Sequence, residues 1–315
     1  MRSGSEQKES DKRKRRSSLC LLAPAKINWF LRIIAKRTDG YHDIQSLMQK
    51  ISLYDIISCR HADSVKVVCD MDIPMEENIV YTAASRLKSF ASCDKGAIIE
   101  IEKNIPAGAG LGGGSSDAAA ALMGLNMLWE LNLKNSELTG VAREIGSDVP
   151  FFLNGPFALV EGTGDRIFPV KLSSSAVLLL VKPKQSVSTA WAYASFDNNS
   201  HTGGRHRASG PMKHGLKYRK LTKKAFDIKL FCQALEGQNA DILRTMLVND
   251  LEGVVSTQFP AVREIKNRLR ETGASASGMS GSGTTVFGVF GTRQMAEKSV
   301  EAMKPHSCWV VETLT

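Results

Sequence analysis

A chain of 315 residues, 43% of them apolar, has room for two domains with cores of their own. Its apolar run at residues 176–181 is strand-length, and no apolar run in the chain is long enough to cross a bilayer. The net charge of +9 is concentrated: residues 1–18 carry +4 and residues 200–224 carry +8, leaving a body of −3. With Tyr218 the one aromatic between their basic residues, these segments read as solvated chain rather than a nucleic-acid surface.

In chain order, residues 1–18 read as a disordered basic tail. The apolar stretch at 19–25 is too short for a secretory signal and runs into Lys26. Residues 22–34 predict a strand, 38–40 a turn, and 45–57 a second extended segment. Residues 64–69 and 97–101 are β-branched and strand-like, with helical spacing over 78–90 between them. A long helix is expected over 115–131 and another over 137–145, capped by Asn135 or Ser136. Residues 157–160 and 166–170 predict a hairpin around Gly162 and Gly164.

A second unit is expected from residue 173. It holds a strand at 176–181, a helix at 188–196, a basic loop at 197–226, and helices at 227–235, 240–248 and 260–272. It ends with a strand at 274–277, a glycine loop at 277–283, a strand at 284–290, a helix at 293–303 and a strand at 307–312. The domains are therefore read as 19–172 and 173–315, in the α+β class. Six scattered cysteines without a C-x-x-C pair argue against a disulfide framework or zinc site and for a reduced, cytoplasmic chain.

The most informative segment is Pro106-Ala107-Gly108-Ala109-Gly110-Leu111-Gly112-Gly113-Gly114-Ser115-Ser116-Asp117, followed by an alanine-rich helix pattern. Glycines let consecutive N–H groups face one anion, and a helix N-terminus adds its positive end, so phosphate is the expected guest. The segment lacks the lysine of a Walker A loop. It also lacks an acidic residue at a strand end that would complete a dinucleotide fingerprint: Glu130 has the right distance but falls inside the expected helix.

Three further segments bear on chemistry. Ala23-Pro24-Ala25-Lys26-Ile27-Asn28 sets a lysine in an apolar strand, where it either snorkels or serves a charge. Ser147-Asp148-Val149-Pro150-Phe151-Phe152 sets a carboxylate before an apolar run, as a helix cap or as a proton acceptor. Beside a phosphate loop the two make sense together, because an acceptor hydroxyl must lose its proton and a cation keeps the base ionised. Tyr41-His42 follows Gly40, and that histidine reads equally as structural or ligand-facing.

These pieces, in this order, resemble the GHMP kinase superfamily, which includes galactokinase and the homoserine, mevalonate and phosphomevalonate kinases. The segment from Thr38 to His42 narrows the resemblance to the family acting on 4-diphosphocytidyl-2-C-methyl-D-erythritol. It runs from about Leu21 to the C-terminus, the basic loop excluded. The resemblance implies a two-domain GHMP kinase fold, with an N-terminal unit like ribosomal protein S5 domain 2 and a ferredoxin-like C-terminal unit. It implies ATP-dependent phosphorylation of the substrate's C2 hydroxyl, in non-mevalonate isoprenoid precursor biosynthesis.

Pro106 to Ser116 would hold the ATP phosphates, Asp148 would be the base and Lys26 its cationic partner. Tyr41, His42 and Tyr193 would grip the cytidine, while Asn28 and Thr189 would touch polar groups of the substrate. Mg²⁺ is expected with ATP, its protein ligands unassigned. The segment Val248-Asn249-Asp250-Leu251-Glu252 also matches and reads as structural support. Ser147, where alanine is usual, and Thr284 after Gly283 depart from the family pattern.

Overall fold

Residues 18–70, 74–202 and 226–315 are described in the computed structural model. The expected tail, Ser18 apart, and residues 203–225 of the expected basic loop lie outside them. Strand β1 (Leu19–Lys36) is longer than its apolar pattern suggests, and every residue from Ala25 to Leu31 is buried. A strand covered on both faces accepts a continuous apolar run, and Lys26 and Asn28 sit inside it. Strand β2 (His42–Ala62) follows the turn at 38–40.

The chain folds into two compact units that are interleaved along the sequence. Among the described residues, one unit contains those up to Lys26, those of Ser52–Ala107 and Gly112–Gly155; the other contains Ile27–Ile51, Gly108–Leu111 and the described residues of Pro156–Thr315. They do not divide at residue 173, because β1 and β2 each begin in one unit and end in the other.

In the first unit the C-terminal half of β2 pairs antiparallel with β4 (Gly96–Glu102), from Ile56 opposite Glu102 to Ala62 opposite Gly96. β3 (Lys66–Cys69) pairs parallel with β4. Helix α1 (Ile79–Ala91) starts at Asn78, whose side chain accepts from Val80 N–H, and buries Val80, Ala83, Ala84 and Leu87. Helix α2 (Gly113–Leu128) buries most residues after Ser115, including Ala118 to Leu122 in a continuous run, while Met127 is exposed. It stops at Leu128 rather than 131: Trp129 caps it, and Glu130 and Asn132 take positive φ of 57° and 53°. Glu130 is therefore outside the helix that the sequence pattern continued through it.

Helix α3 (Asn135–Arg143) is preceded by Lys134 as its N-cap, not Asn135 or Ser136; Glu137 reaches back to accept from Lys134 N–H. The short α4 (Val149–Phe152) completes this unit.

In the second unit β5 (Phe157–Gly162) pairs with the N-terminal half of β2, and β6 (Arg166–Pro169) pairs with β5 as the expected hairpin. A separate antiparallel sheet contains β7 (Val177–Lys182), β8 (Ala276–Met279), β9 (Val286–Phe290) and β10 (Ser307–Glu312), in the order β10-β7-β9-β8. Helices separate β7 from β8 and β9 from β10, giving the expected ferredoxin-like arrangement.

The helices of this unit are α5 (Thr189–Thr202), α6 (Ile228–Glu236), α7 (Ala240–Met246), α8 (Glu252–Gln258), α9 (Ala261–Glu271) and α10 (Arg293–Ser299). Its core packs Leu31 with Leu179, Val181, Val255, Ile265, Leu269, Val286 and Phe290. Helix α5 continues past residue 196, where the sequence pattern predicts loop. The start of the second glycine loop is strand: Ala276–Met279 is wholly buried. Gly278 lies against the Phe287 ring, where a Cβ would come within 3.1 Å.

Candidate active site

The glycine-rich loop leads straight into α2. Gly108, Gly110 and Gly112 take φ of 59°, 74° and 71°, so every second residue there is left-handed. Alternation of this kind turns successive N–H groups toward one side and makes an anion-binding concavity. At Gly110 two constraints coincide, because a Cβ would collide with the carbonyl oxygen of Ser280 besides needing that φ. Within the first turns of α2, the Ser116 hydroxyl and Asp117 Oδ1 are buried without hydrogen-bond partners. That is unusual for polar atoms removed from water and fits a ligand-facing helix start.

In the first unit, Lys26 is only 4% exposed and its Nζ lies 3.6 Å from Asp148 Oδ2. It does not snorkel to solvent. Asp148 precedes α4 yet makes no capping hydrogen bond, so its carboxylate is not spent on the helix end. Gly112 packs onto this pair's surroundings: a Cβ there would meet Phe152 at 2.9 Å and the Lys26 side chain at 3.1 Å. The lysine, the carboxylate and the end of the glycine-rich loop are thus brought together.

In the same unit, Lys103 lies between two buried carboxylates, Asp55 and Asp117. Burial pushes the Asp117 carboxyl up to about 7; Asp55 adds to this and Lys103 opposes it. Burial alone would lower Lys103, but the two carboxylates outweigh it and raise its pKa.

In the second unit, the 38–40 turn is held by Asp39, which accepts from Tyr41 N–H at 3.1 Å. It leaves Tyr41 65% exposed. His42, by contrast, is buried beside α5: its Nε2–H donates to Asp197 Oδ1 at 2.9 Å, and its ring lies 4.8 Å from that of Tyr193. Lys36 donates to the other Asp197 oxygen at 2.6 Å. Burial works against the Asp197 charge, yet hydrogen bonds from Lys36 and His42 hold its carboxyl below the usual range.

Asn28 is buried, its side-chain amide donating to Ser46 at 2.8 Å and its backbone N–H to Ser280 Oγ. Ser280 in turn donates to the Gly110 carbonyl at 3.0 Å. Thr189 opens α5 and shares a hydrogen bond with Ser282 at 3.0 Å. Asn249 supports the second glycine loop by donating to the carbonyls of Met279 and Gly281.

The partners Asp55, Lys103, Asp117 and Asp197 went unread in the sequence. Asp197 had a usable signal, since it falls four residues after Tyr193 on one helix face. The other three offered none, being distant in sequence from at least one partner. Among the described residues no three His, Cys, Asp or Glu gather as a metal-holding group, and no helix is long and apolar enough to cross a membrane.

A glycine loop opening a helix, a buried lysine paired with a carboxylate beside it and a ferredoxin-like sheet point to a small-molecule kinase of the GHMP class. The GHMP kinases N terminal domain family matches residues 78–156, and the GHMP kinases C terminal family matches residues 223–306. The chain is 41% identical over 290 residues to 4-diphosphocytidyl-2-C-methyl-D-erythritol kinase of Thermodesulfovibrio yellowstonii, covering 92% of this chain and 96% of that one. It is 38% identical over 299 residues to the enzyme of that name from Caldicellulosiruptor bescii, covering 94% and 97%.

A crystal structure of 4-(cytidine 5'-diphospho)-2C-methyl-D-erythritol kinase matches with a TM-score of 0.75 at 30% identity, covering 94% of this chain and 100% of that one. Homoserine kinase from Cytophaga hutchinsonii shares the fold, with a TM-score of 0.69 at 19% identity over 95% of each chain. The chain belongs to the GHMP kinase superfamily and, within it, to the 4-diphosphocytidyl-2-C-methyl-D-erythritol kinase family; it is an ATP-dependent kinase.

Proposed function

We propose that the enzyme transfers the γ-phosphoryl group of ATP to the C2 hydroxyl of 4-diphosphocytidyl-2-C-methyl-D-erythritol, in non-mevalonate isoprenoid precursor biosynthesis. The observation that carries this reading is the Lys26–Asp148 pair, 3.6 Å apart and packed beside Gly112 at the end of the phosphate loop. Asp148 accepts the proton of the C2 hydroxyl as its oxygen bonds to the γ-phosphorus, and the bond from that phosphorus to the β-bridging oxygen breaks to release ADP. Lys26 orients the carboxylate and balances its charge. Within Pro106 to Ser116, the backbone N–H groups that follow the proline stabilise the phosphate oxygens together with the N-terminus of α2; this chemistry is mainly positioning and charge stabilisation.

His42, Tyr41 and Tyr193 hold the cytidine, with aromatic faces suited to stacking on a base. Thr189 and Asn28 serve the substrate's polar groups. Mg²⁺ would neutralise charge on the phosphates. Without a three-residue cluster among the described residues, it would be held largely by phosphate oxygens and water, as this ion commonly is. The unpartnered Ser116 hydroxyl fits a contact with the phosphates or their ion.

Residues 19–172 and 173–315 serve in this reading as the two sequence domains, since the matched family segments fall on either side of that boundary. Unbridged cysteines fit a cytoplasmic enzyme.

The test is ADP release by the purified protein with Mg-ATP, with and without 4-diphosphocytidyl-2-C-methyl-D-erythritol. ADP that depends on this substrate, with phosphate on its C2 oxygen, is expected. A folded, ATP-binding protein that ignores this substrate and turns over mevalonate or homoserine would overturn the substrate assignment.

A further inference from the structure

We propose that Asp55 is a positioning residue for ATP: a carboxylate that ties both ends of the phosphate loop to one fixed point. The proposal rests on the reading that Pro106 to Ser116 hold the ATP phosphates. Asp55 lies on β2, is fully buried, and satisfies its charge with three donors from consecutive residues. Oδ1 accepts from Asn104 N–H at 2.5 Å and Ile105 N–H at 2.8 Å, while Oδ2 accepts from Lys103 Nζ. Those residues immediately precede Pro106, where the loop begins.

The loop's other end returns to the same residues. A Cβ on Gly113, the first residue of α2, would lie 3.1 Å from Ile105 Cγ2 and 3.4 Å from Lys103 Nζ. Lys103 also donates to Asp117 Oδ2, in the second turn of α2, at 2.6 Å. Asp55 thus pins the entrance through two peptide N–H groups and the exit through the Lys103 ammonium.

The physical need for such a pin follows from the loop's composition. Glycines carry no side chains with which to anchor themselves, and ordering them costs more backbone entropy than ordering any other residue. A loop fixed before ATP arrives need not be ordered by it, and the saving appears as affinity. If packing alone were at stake, an apolar residue would serve better, because burying a carboxylate is costly unless its charge is used. The pair Asp55–Lys103 also keeps an ammonium beside the loop while Asp117 competes for it.

The experiment compares Asp55→Asn and Asp55→Ala with the native enzyme, varying ATP and the acceptor substrate separately. Asparagine keeps an oxygen for the two peptide N–H groups but loses the charge that holds Lys103; alanine loses both. KM for ATP should rise about tenfold in Asp55→Asn and further in Asp55→Ala, with KM for the acceptor within about twofold. Gly110→Ala, run in parallel, should lose ATP affinity because its Cβ collides with the Ser280 carbonyl.

If Gly110→Ala leaves KM for ATP unchanged, the loop reading and this proposal both fail. If Gly110→Ala raises it but folded Asp55→Asn does not, Asp55 alone is refuted. A fall in kcat with both KM values unchanged would mark a merely structural role and also refute it. Should the Asp55 variants not fold, Asp117→Asn cuts the exit tie alone; KM for ATP should then rise about threefold, and an unchanged value overturns the proposal.

Discussion

Lys26 and Asp148 illustrate how exposure decides what a substitution reports. Asp148 is 32% exposed, so Lys26→Ala leaves a carboxylate that water still reaches. The stability loss should stay below the ~3–5 kcal/mol of a wholly buried pair, so kinetics can be read on folded protein. Asp148→Asn should keep ATP affinity and lower kcat by about 10²–10⁴-fold, the range of a lost general base. Calorimetric titration with ATP beside single-turnover rates checks both halves of that expectation, and near-native turnover would remove Asp148 as base. Lys26→Ala should fall in the same direction.

Asp117 yields a pH effect of definite sign. Its carboxyl is raised from 3.8 to about 7, chiefly by burial, so the native state holds the proton more tightly than the unfolded chain. The stability this contributes is complete below about 4 and is lost as pH rises through about 7. Tm measured from pH 5 to 8 should fall more steeply in the native protein than in Asp117→Asn; parallel curves would contradict it. Lys26 and Asp148 could be singled out from sequence because each sits in an apolar or proline-marked context. Asp55, Lys103 and Asp117 could not, since pairing between residues 48 positions apart exists only after β2 is folded against β4.

Helices and strands were legible where periodicity is strong. The regular β10 is found at the bounds expected from its sequence, and α1 within a residue of them. Misses occurred where tertiary context overrides local preference. Helix α8 contains β-branched Val254 and Val255 in sequence, which argue against helix, yet both are buried in the second unit's core and the packing wins.

Helix α2 shows the separate contributions of propensity and packing. Leu122 is fully buried within it. Alanine is the better helix former, so Leu122→Ala should leave the helix intact and still cost about 2–5 kcal/mol through the cavity created. Urea unfolding with far-UV circular dichroism separates the two: the midpoint should drop while the native helical signal stays.

At the scale of the whole molecule, the order of segments in the sequence and their grouping in space are different things. Composition and motif order sufficed for the class of fold. They could not reveal that Lys26 and Asn28, two positions apart, belong to different compact units, because no local pattern marks the middle of a continuous strand as a boundary. The second unit's core uses Leu31, Ile33 and Ile44 together with Leu179, Val181 and Val286. A fragment of residues 173–315 therefore lacks part of its own interior, and should show neither a cooperative melt nor amide protection when expressed alone.

The same interleaving bears on how such genes can be recombined. A crossover at residue 173 between two relatives would graft a C-terminal half onto strands that evolved against a different interior. Functional hybrids should instead carry residues 27–51 along with that half, so that the lineage exchanges discontinuous segments or none.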